Sequence, residues 1–393
     1  MDNSCPMQEA KQKYCDLHIV QVLTLYHSSG KPLDALLRDY FRDRRQIGSQ
    51  ARRLISDILF GMIRNQRLIQ HLCPSPTIEA QLYFYKKLDL HGRMEDSAIP
   101  EAIRFGVSDF LYERLCVAYS KARAQRLCRI SNSPAPTTLR ANLLKTTREQ
   151  LLAQLPSPGI PCKEAPAGIS LTQREPLFTW PSFREGLFEV QDEGSQRVAQ
   201  LVAAKPGDHF LDYCSGSGGK ALAVAPTMQH RGQIYLHDVR SHALEQARLR
   251  LRRAGVQNAL LVSPDSPKLK QLKGKMDWVL ADVPCSGSGT LRRNPELKEK
   301  IDAEMVKRLV AQQREIFAQA LIYLKPGGSI VYSTCSILPE ENQSQVEFFI
   351  QTYSLKLSQP PLAILPEDGG SDGFFAAVMS RLQNSQPAQN RPF

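Results

Sequence analysis

Two cysteines and one aspartate follow two predicted strands of this chain, in loops rich in glycine and serine. The run DVPCSGSGT begins at Asp282 and contains Cys285, and the run STCS contains Cys335. Structural cysteines are usually buried within an element and inert, whereas thiols in such loops suit nucleophilic catalysis. If the two strands are neighbours, both thiols and the carboxylate converge on one rim of a sheet.

These groups fit the methylation of cytosine at carbon 5, which is itself a poor nucleophile. Addition of a thiolate to carbon 6 makes the ring enamine-like, so that carbon 5 can attack a methylsulfonium. Asp282 is available to favour this addition through ring nitrogen 3. A base must then remove the proton of carbon 5, and the second cysteine is a candidate helper. The residues alone do not rank the two thiols.

A glycine-rich loop follows the first predicted strand and opens a helix. Glycines permit a tight turn and the close approach of backbone N–H groups to a ligand. The spacing of a nucleotide phosphate loop is absent because Ala221 follows the lysine. The loop residues are Cys214, Ser215, Gly216, Ser217, Gly218, Gly219 and Lys220.

The next two strand ends carry acidic residues. Asp238 is placed to accept hydrogen bonds from a ribose diol, a feature that a nicotinamide-dependent oxidoreductase would share. Asp265 is placed to receive an adenine amino group. Such an oxidoreductase leaves the two strand-end thiols unexplained.

After Gln191, short apolar runs alternate with stretches of helical spacing, and these elements must position the residues named above. This alternation predicts a doubly wound, mostly parallel sheet that binds ligands at the carboxyl ends of its strands. The predicted strands are 209–212, 233–238, 259–263, 277–282 and 328–333, and the predicted helices include 241–254 and 303–324. Before them, 139–142 is a possible short strand, and residues from about 17 to 130 have helical spacing.

The composition indicates which kinds of partner and which cellular compartment to expect. The 393 residues carry a formal net charge of +11, which favours a polyanionic partner such as RNA over an ordinary basic surface. Nine cysteines without a C-x-x-C pair indicate neither a zinc site nor a disulfide scaffold, so we expect no metal. The polar N-terminus lacks a signal core, and no apolar stretch approaches the roughly 20 residues of a membrane span. We expect a soluble cytoplasmic protein.

Several runs resemble the signatures of the NOL1/NOP2/Sun family of RNA cytosine methyltransferases. They are DVPCSGSGTLRRNPE, YSTCSILPEEN, the loop 214–220, VQDEGSQ and DGFFAA. The helical run DRRQIGSQARRLISDILFGMIRNQRLI resembles the NusB-like domain of bacterial Sun/Fmu proteins, which modify 16S rRNA. The family loop usually reads Cys-Ala-Ala-Pro-Gly-Gly-Lys. Here the length is kept without the proline, so we expect cofactor binding by a looser loop.

The resemblance implies an S-adenosyl-L-methionine-dependent methyltransferase that acts on 16S rRNA or a small-subunit particle. It places the nucleophile on Cys335 and the product-release cysteine on Cys285. It also implies a Rossmann-like domain with a mostly parallel seven-stranded sheet after an all-helical NusB-like domain. The implied cofactor contacts are residues 214–220, Asp238, Asp265 and Asp282.

These expectations divide the chain at a proline-rich stretch, 131–138. We expect a helical NusB-like RNA-binding domain at 1–130, a small mixed RNA-docking segment at 131–185, the methyltransferase domain at 186–382 and a frayed tail at 383–393. Arg292 and Arg293 are either phosphate contacts or a charge pair at a helix entry. The alternative function is an RNA-binding assembly or regulatory factor with a vestigial methyltransferase core.

Overall fold

The computed structural model describes residues 6–381, with the backbone alone described for 6–10. Two compact units make up this part of the chain. The first comprises the residues up to 134 together with Leu291–Asp302, and the second comprises Ala135–Thr290 together with the residues from 303 onward. The predicted tail 383–393, residue 382 and residues 1–5 lie outside the described residues.

The first unit is built from α-helices with apolar residues at helical spacing. In the helix Leu33–Arg42, for example, the buried residues are Leu33, Leu36, Leu37 and Tyr40, which share one face. The prediction of a helical N-terminal part is confirmed. Its helices are α1, Pro6–Ser29; α2, Leu33–Arg42; α3, Ser49–Arg64; α4, Gln66–Leu72; α5, Ile78–Lys87; α6, Leu90–Glu95; α7, Glu101–Phe105; α8, Asp109–Tyr119; and α9, Lys121–Asn132.

The segment Leu291–Asp302 belongs to this helical unit although it follows the Cys285 loop in sequence. Its Lys298 is completely buried. The Nζ of Lys298 donates hydrogen bonds to Arg64 O at 3.0 Å, Phe105 O at 2.6 Å and Asn132 Oδ1 at 2.5 Å. Three acceptors match the three donors of an ammonium group, so one buried side chain anchors the segment.

A small antiparallel sheet opens the second unit. Its strands are β1, Thr137–Ala141; β2, Gly159–Pro161; β3, Gly168–Leu171; and β4, Phe188–Val190, in the order β2-β3-β1-β4. The predicted strand at 139–142 corresponds to β1. Two helices accompany the sheet: α10, Arg148–Gln154, which starts with a capping box formed by Thr147 and Gln150, and α11, Pro181–Arg184.

A large mixed sheet forms the rest of the unit. It has eight strands, seven of them along the path β10-β12-β9-β8-β5-β6-β7, while β11 pairs with β12 beside it. The central pairs are parallel, and the pairs that involve β12 are antiparallel. The strands are β5, His209–Asp212; β6, Gln233–His237; β7, Ala259–Val262; β8, Met276–Asp282; β9, Leu324–Thr334; β10, Leu355–Leu357; β11, Leu362–Ile364; and β12, Phe374–Arg381.

The predicted fold class is confirmed, with one strand more than the seven expected. The predicted strand 328–333 is longer than expected, because β9 begins at Leu324 and the preceding helix ends at Leu321. The sequence Pro326-Gly327-Gly328 is typical of a turn. A register shift against β8 between Met276 and Trp278 accommodates these residues within the strand.

Helices cover both faces of the large sheet. A hydrophobic core lies on each face, one containing Phe317 and Phe349 and the other containing Leu222 and Ala247. None of the helices within residues 6–381 has the length and apolarity needed to cross a bilayer. The remaining helices are α12, Glu193–Gln200; α13, Gly219–Met228; α14, Ser241–Ala254; α15, Pro267–Gln271; α16, Leu297–Lys300, which belongs to the first unit; α17, Ala303–Leu321; and α18, Gln343–Tyr353.

Candidate active site

The two cysteine loops start from neighbouring strands. β8 and β9 pair in parallel, with Asp282 opposite Ser333 at their carboxyl ends. The Sγ atoms of Cys285 and Cys335 lie 3.3 Å apart, and both residues are partly exposed. Because the two strands are neighbours, both thiols meet at one rim of the sheet.

The two thiols differ in acidity. A hydrogen bond from the Cys285 thiol lowers the pKa of Cys335 below its ordinary value, against the opposing effect of burial, and the charge of Lys220 adds to the lowering. The same hydrogen bond, together with burial, raises the pKa of Cys285 well above its ordinary value. Cys335 is thus the more acidic thiol of the pair and the one that more readily forms a thiolate, which is the nucleophilic form of cysteine.

A buried carboxylate binds the Cys285 loop through hydrogen bonds. Glu341 is completely buried and accepts hydrogen bonds from Ser286 N at 2.8 Å, Ser286 Oγ at 2.5 Å and Gln313 Nε2 at 2.9 Å. Gln313 also donates to Pro284 O at 3.0 Å, and Tyr332 Oη donates to Glu341 O at 2.7 Å. This satisfied network fixes the loop against β9 and α17.

The Cys285 loop also contacts the Cys335 loop and the DGFFAA run. Gly289 N donates to Cys335 O at 3.0 Å, and Gly373 N donates to Gly289 O at 2.8 Å. A Cβ atom on Gly289 would lie 2.3 Å from Gly373 O, so this position requires glycine. Ser288 Oγ and Ser336 Oγ form a further hydrogen bond of 2.9 Å between the two cysteine loops.

Lys220 and Asp282 form an ion pair beside the thiols. Lys220 Nζ donates to Asp282 Oδ2 at 2.5 Å, and Ser333 Oγ donates to Asp282 Oδ1 at 2.8 Å. Burial lowers the pKa of Lys220, but the charge and hydrogen bond of Asp282 outweigh it, so the pKa is raised. The lysine is therefore a stable cation, and its charge favours ionisation of the Cys335 thiol.

A cavity lies between the glycine-rich loop and the end of β8. Asp212, the last residue of β5, is buried there, and neither oxygen of its carboxylate has a hydrogen bond of normal geometry within the described residues. Burial and the charge of Asp282 raise the pKa of Asp212 to about 7. The cavity is lined by Val190, Gln191, Ser195, Asp212, Cys214, Ser215, Ser217, Gly219, Lys220, Arg250 and Asp282.

Sequence reasoning placed Asp212 in the loop motif but gave it no role. Its signal was its position at the end of a predicted strand, the same signal that singled out Asp238. Glu341 and Gln313 carried no such signal, because their contacts depend on elements distant in the chain. Burial raises the pKa of Cys214, so this third thiol of the site forms a thiolate less readily than Cys335.

The loop backbone is tied to β6 and to itself. Ser215 N donates to His237 O at 2.9 Å, and Gly218 N donates to Ser215 O at 2.8 Å. Gly216 N donates to Asp238 Oδ2 at 2.8 Å. Gly218 has a φ of 79°, which favours glycine. These bonds oppose the looseness expected from the missing proline.

Asp238 joins the loop, but its carboxylate is already engaged. Besides the bond from Gly216, Asp238 accepts hydrogen bonds from Arg240 N at 2.9 Å, Nε at 2.9 Å and Nη2 at 3.0 Å. Burial raises the pKa of Asp238, but these hydrogen bonds outweigh it and hold the pKa low. The Arg240 side chain is 59% exposed, so its rotation into solvent would free the carboxylate of Asp238.

Asp265 is the one predicted site residue that the structure leaves apart from the others. It is exposed in the turn between β7 and α15, and it does not line the cavity. Its contact with an adenine amino group remains a prediction.

The two candidate phosphate contacts differ in exposure. Arg292 is 3% exposed, and its carbonyl oxygen accepts a hydrogen bond of 3.1 Å from Arg64 Nη2. Arg293 is exposed. Only Arg293 therefore presents its side chain to solvent, where a phosphate could reach it.

The fold and the site define a Rossmann-like methyltransferase. A family model described as "16S rRNA methyltransferase RsmB/F" matches residues 199–380, and a second, for the ferredoxin-like domain of the same methyltransferases, matches residues 107–177. The chain belongs to the RsmB/F family of 16S rRNA methyltransferases. The methyl donor of this family is S-adenosyl-L-methionine.

Individual relatives agree with this assignment. The probable ribosomal RNA small subunit methyltransferase B of Synechocystis is 30% identical over 78% of this chain and 74% of its own length. The methyltransferase B of Vibrio cholerae is 32% identical over 77% of this chain and 72% of its own length. Among solved structures, a methyltransferase homolog from Pyrococcus horikoshii is 27% identical, with a TM-score of 0.65 over 73% of this chain and 100% of its own.

Proposed function

We propose that this protein transfers a methyl group from S-adenosyl-L-methionine to carbon 5 of a cytosine in 16S rRNA. The reaction runs through a covalent bond between Cys335 Sγ and carbon 6 of the ring. The observation that carries the proposal is the 3.3 Å contact between the two sulfurs, beside the ion pair of Lys220 and Asp282. The names of the relatives support small-subunit rRNA as the substrate.

The cavity suits this cofactor. The methionine part of S-adenosyl-L-methionine carries an ammonium group, and its sulfur is cationic. A buried carboxylate that has no hydrogen bond of normal geometry within residues 6–381 matches these positive charges. Asp212 provides that carboxylate at the base of the loop. Residues 214–220 would surround the methionine part, Asp238 would accept from the ribose, Asp265 from the adenine, and Asp282 would face the reacting carbon.

The chain's own groups account for the formation of the bond to carbon 6 and for its later release. The Cys335 thiolate adds to carbon 6, the electron pair of the carbon 5–carbon 6 double bond shifts to carbon 4–carbon 5, and ring nitrogen 3 takes up a proton. The product is an enamine whose carbon 5 is nucleophilic. Lys220 donates to Asp282, so this pair can hold a proton near ring nitrogen 3 and favour the addition. The bound cofactor supplies the methyl group that carbon 5 accepts.

Release of the product requires loss of the carbon 5 proton and of the sulfur. As a base removes the proton, the double bond re-forms and Cys335 Sγ leaves as a thiolate. Cys285 lies where its S–H hydrogen bond stabilises that thiolate. Its role is therefore to assist elimination rather than attack.

The proposed function is tested by its product. Unmodified 16S rRNA, free or in small-subunit particles, is incubated with the protein and methyl-labelled S-adenosyl-L-methionine, then digested to nucleosides for mass spectrometry. We expect 5-methylcytidine as the labelled nucleoside, with Cys335→Ala as the inactive control. Label in another nucleoside, or none in either substrate, would overturn the proposal.

Asp238→Ala is expected to weaken cofactor binding by about 2–3 kcal/mol, because charge-assisted hydrogen bonds to a ribose are lost. Calorimetric titration with S-adenosyl-L-methionine measures the change. Asp265→Ala is the comparison, and we expect a smaller loss because an adenine contact is neutral at the base. An unchanged affinity of the Asp238 variant would place the ribose elsewhere.

A further inference from the structure

The cofactor loop is held from outside by an arginine of α14. Arg250 Nη1 donates to Ser217 O at 3.0 Å and to Ser217 Oγ at 2.6 Å. Ser217 stands in the middle of the loop, between Gly216 and Gly218, both of which have positive φ. Two flanking glycines leave the backbone with many accessible conformations, so a fixed contact at Ser217 restricts the loop strongly.

The guanidinium is itself fixed by a carboxylate on β4. Arg250 Nε and Nη2 lie 3.1 and 3.0 Å from Glu189 Oε2. The Glu189 side chain is 4% exposed, and that of Arg250 is 21% exposed. An arginine held at one end by a buried carboxylate presents its remaining N–H groups in a preset direction.

The loop also packs directly against the helix that carries this arginine. A Cβ atom on Gly218 would lie 3.3 Å from the Cβ of Ala247, three residues before Arg250 in α14. A Cβ atom on Gly219 would lie 3.9 Å from Nη1 and Nη2 of Arg250. Arg250 lines the cavity together with Asp212 and Lys220. Arg250 thus contacts the loop and also lines the cavity beside it.

We propose that Arg250 is a positioning residue for the methyl donor, which links Glu189 to Ser217 and so sets the affinity of the loop for S-adenosyl-L-methionine. This inference rests on the proposed function, because it assumes that the loop binds this cofactor. Ser217 stands where the usual family loop has a proline, which would restrict the backbone φ angle. The hydrogen bonds from Arg250 restrict the loop at this position instead. Arg250 acts through the loop and not on the cytosine.

The test compares Arg250→Ala and Arg250→Lys with Arg252→Ala, which removes an exposed arginine of the same helix. We expect Arg250→Ala to raise the dissociation constant and the KM for S-adenosyl-L-methionine at least about tenfold. The kcat at saturating cofactor and the KM for RNA should stay within about threefold. Arg250→Lys should fall between Arg250→Ala and the parent, and Arg252→Ala should match the parent.

A second readout follows the loop without cofactor. Amide hydrogen exchange of residues 214–220 should accelerate in Arg250→Ala, while exchange in β5 and β6 stays unchanged. Ser217→Ala should weaken cofactor binding in the parent but have no further effect in the Arg250→Ala background. Parent-like binding and loop exchange in Arg250→Ala would refute the inference alone. Failure of the parent to bind S-adenosyl-L-methionine would refute the proposed function as well.

Discussion

Cys335→Ala is expected to lower the methylation rate by at least about a thousandfold and to form no covalent complex with RNA. The reason is that carbon 5 becomes nucleophilic only after a thiolate adds to carbon 6, and Cys335 is the more acidic thiol of the pair. Turnover with methyl-labelled cofactor measures the rate. A denaturing gel with labelled RNA detects the complex as a retarded protein band.

Cys285→Ala is expected to show the retarded protein band that Cys335→Ala lacks. Cys335 loses the hydrogen bond that lowers its pKa most, but the charge of Lys220 still lowers it, so addition to the cytosine slows without being abolished. Carbon 5 can still accept the methyl group. Elimination slows, because the departing sulfur has lost the S–H donor that lies 3.3 Å away. The covalent complex should therefore accumulate while turnover falls.

The control for both variants is Cys73→Ala, which removes a partly exposed thiol of the helical unit. It should methylate normally and leave no stable band. A band from Cys335→Ala in place of Cys285→Ala would reverse the two roles. Methylation that survives in both active-site variants, with no band from either, would rule out the covalent mechanism.

Lys298→Met is expected to lower the free energy of unfolding of the helical unit by about 3 kcal/mol. The substitution roughly keeps the volume of the side chain but leaves Arg64 O, Phe105 O and Asn132 Oδ1 buried without their donor. Burial lowers the pKa of Lys298 to about 7, whereas three surrounding acceptors favour the ammonium form. A measurement at pH 6, below that pKa, keeps the side chain cationic.

Urea denaturation followed by far-UV circular dichroism, with hydrogen exchange of α4, α7 and α9, measures the loss. Lys300→Ala is the matched control, because Lys300 is exposed and belongs to the same one-turn helix α16. It should change the free energy of unfolding by less than about 0.5 kcal/mol. If Lys298→Met unfolds like the control, the buried lysine does not anchor the segment.

Much of the second unit was predictable because its signals are local. The strand ending at Asp212 and the helix at Ser241–Ala254 have the predicted bounds. Apolar runs of strand length, separated by glycine turns and helical spacing, specify elements through contacts between near neighbours in sequence. The same pattern placed Cys285 and Cys335 in loops at the carboxyl ends of strands. The sequence by itself thus determined the fold class and the reactive groups.

Only the tertiary structure decided how those groups change each other's acidity and which of them form ion pairs. The acidity of Cys335 depends on a donor 50 residues away, and the charge of Lys220 acts from another loop. Arg240 covers the carboxylate of Asp238, and Asp265 lies apart from the cavity. Hydrogen bonds and charges act over a few ångströms, and burial sets their strength. Spacing along the chain specifies neither the distance between two groups nor their burial. The pKa shifts, the ion pairs and the burial of Lys298 therefore follow only from the folded arrangement.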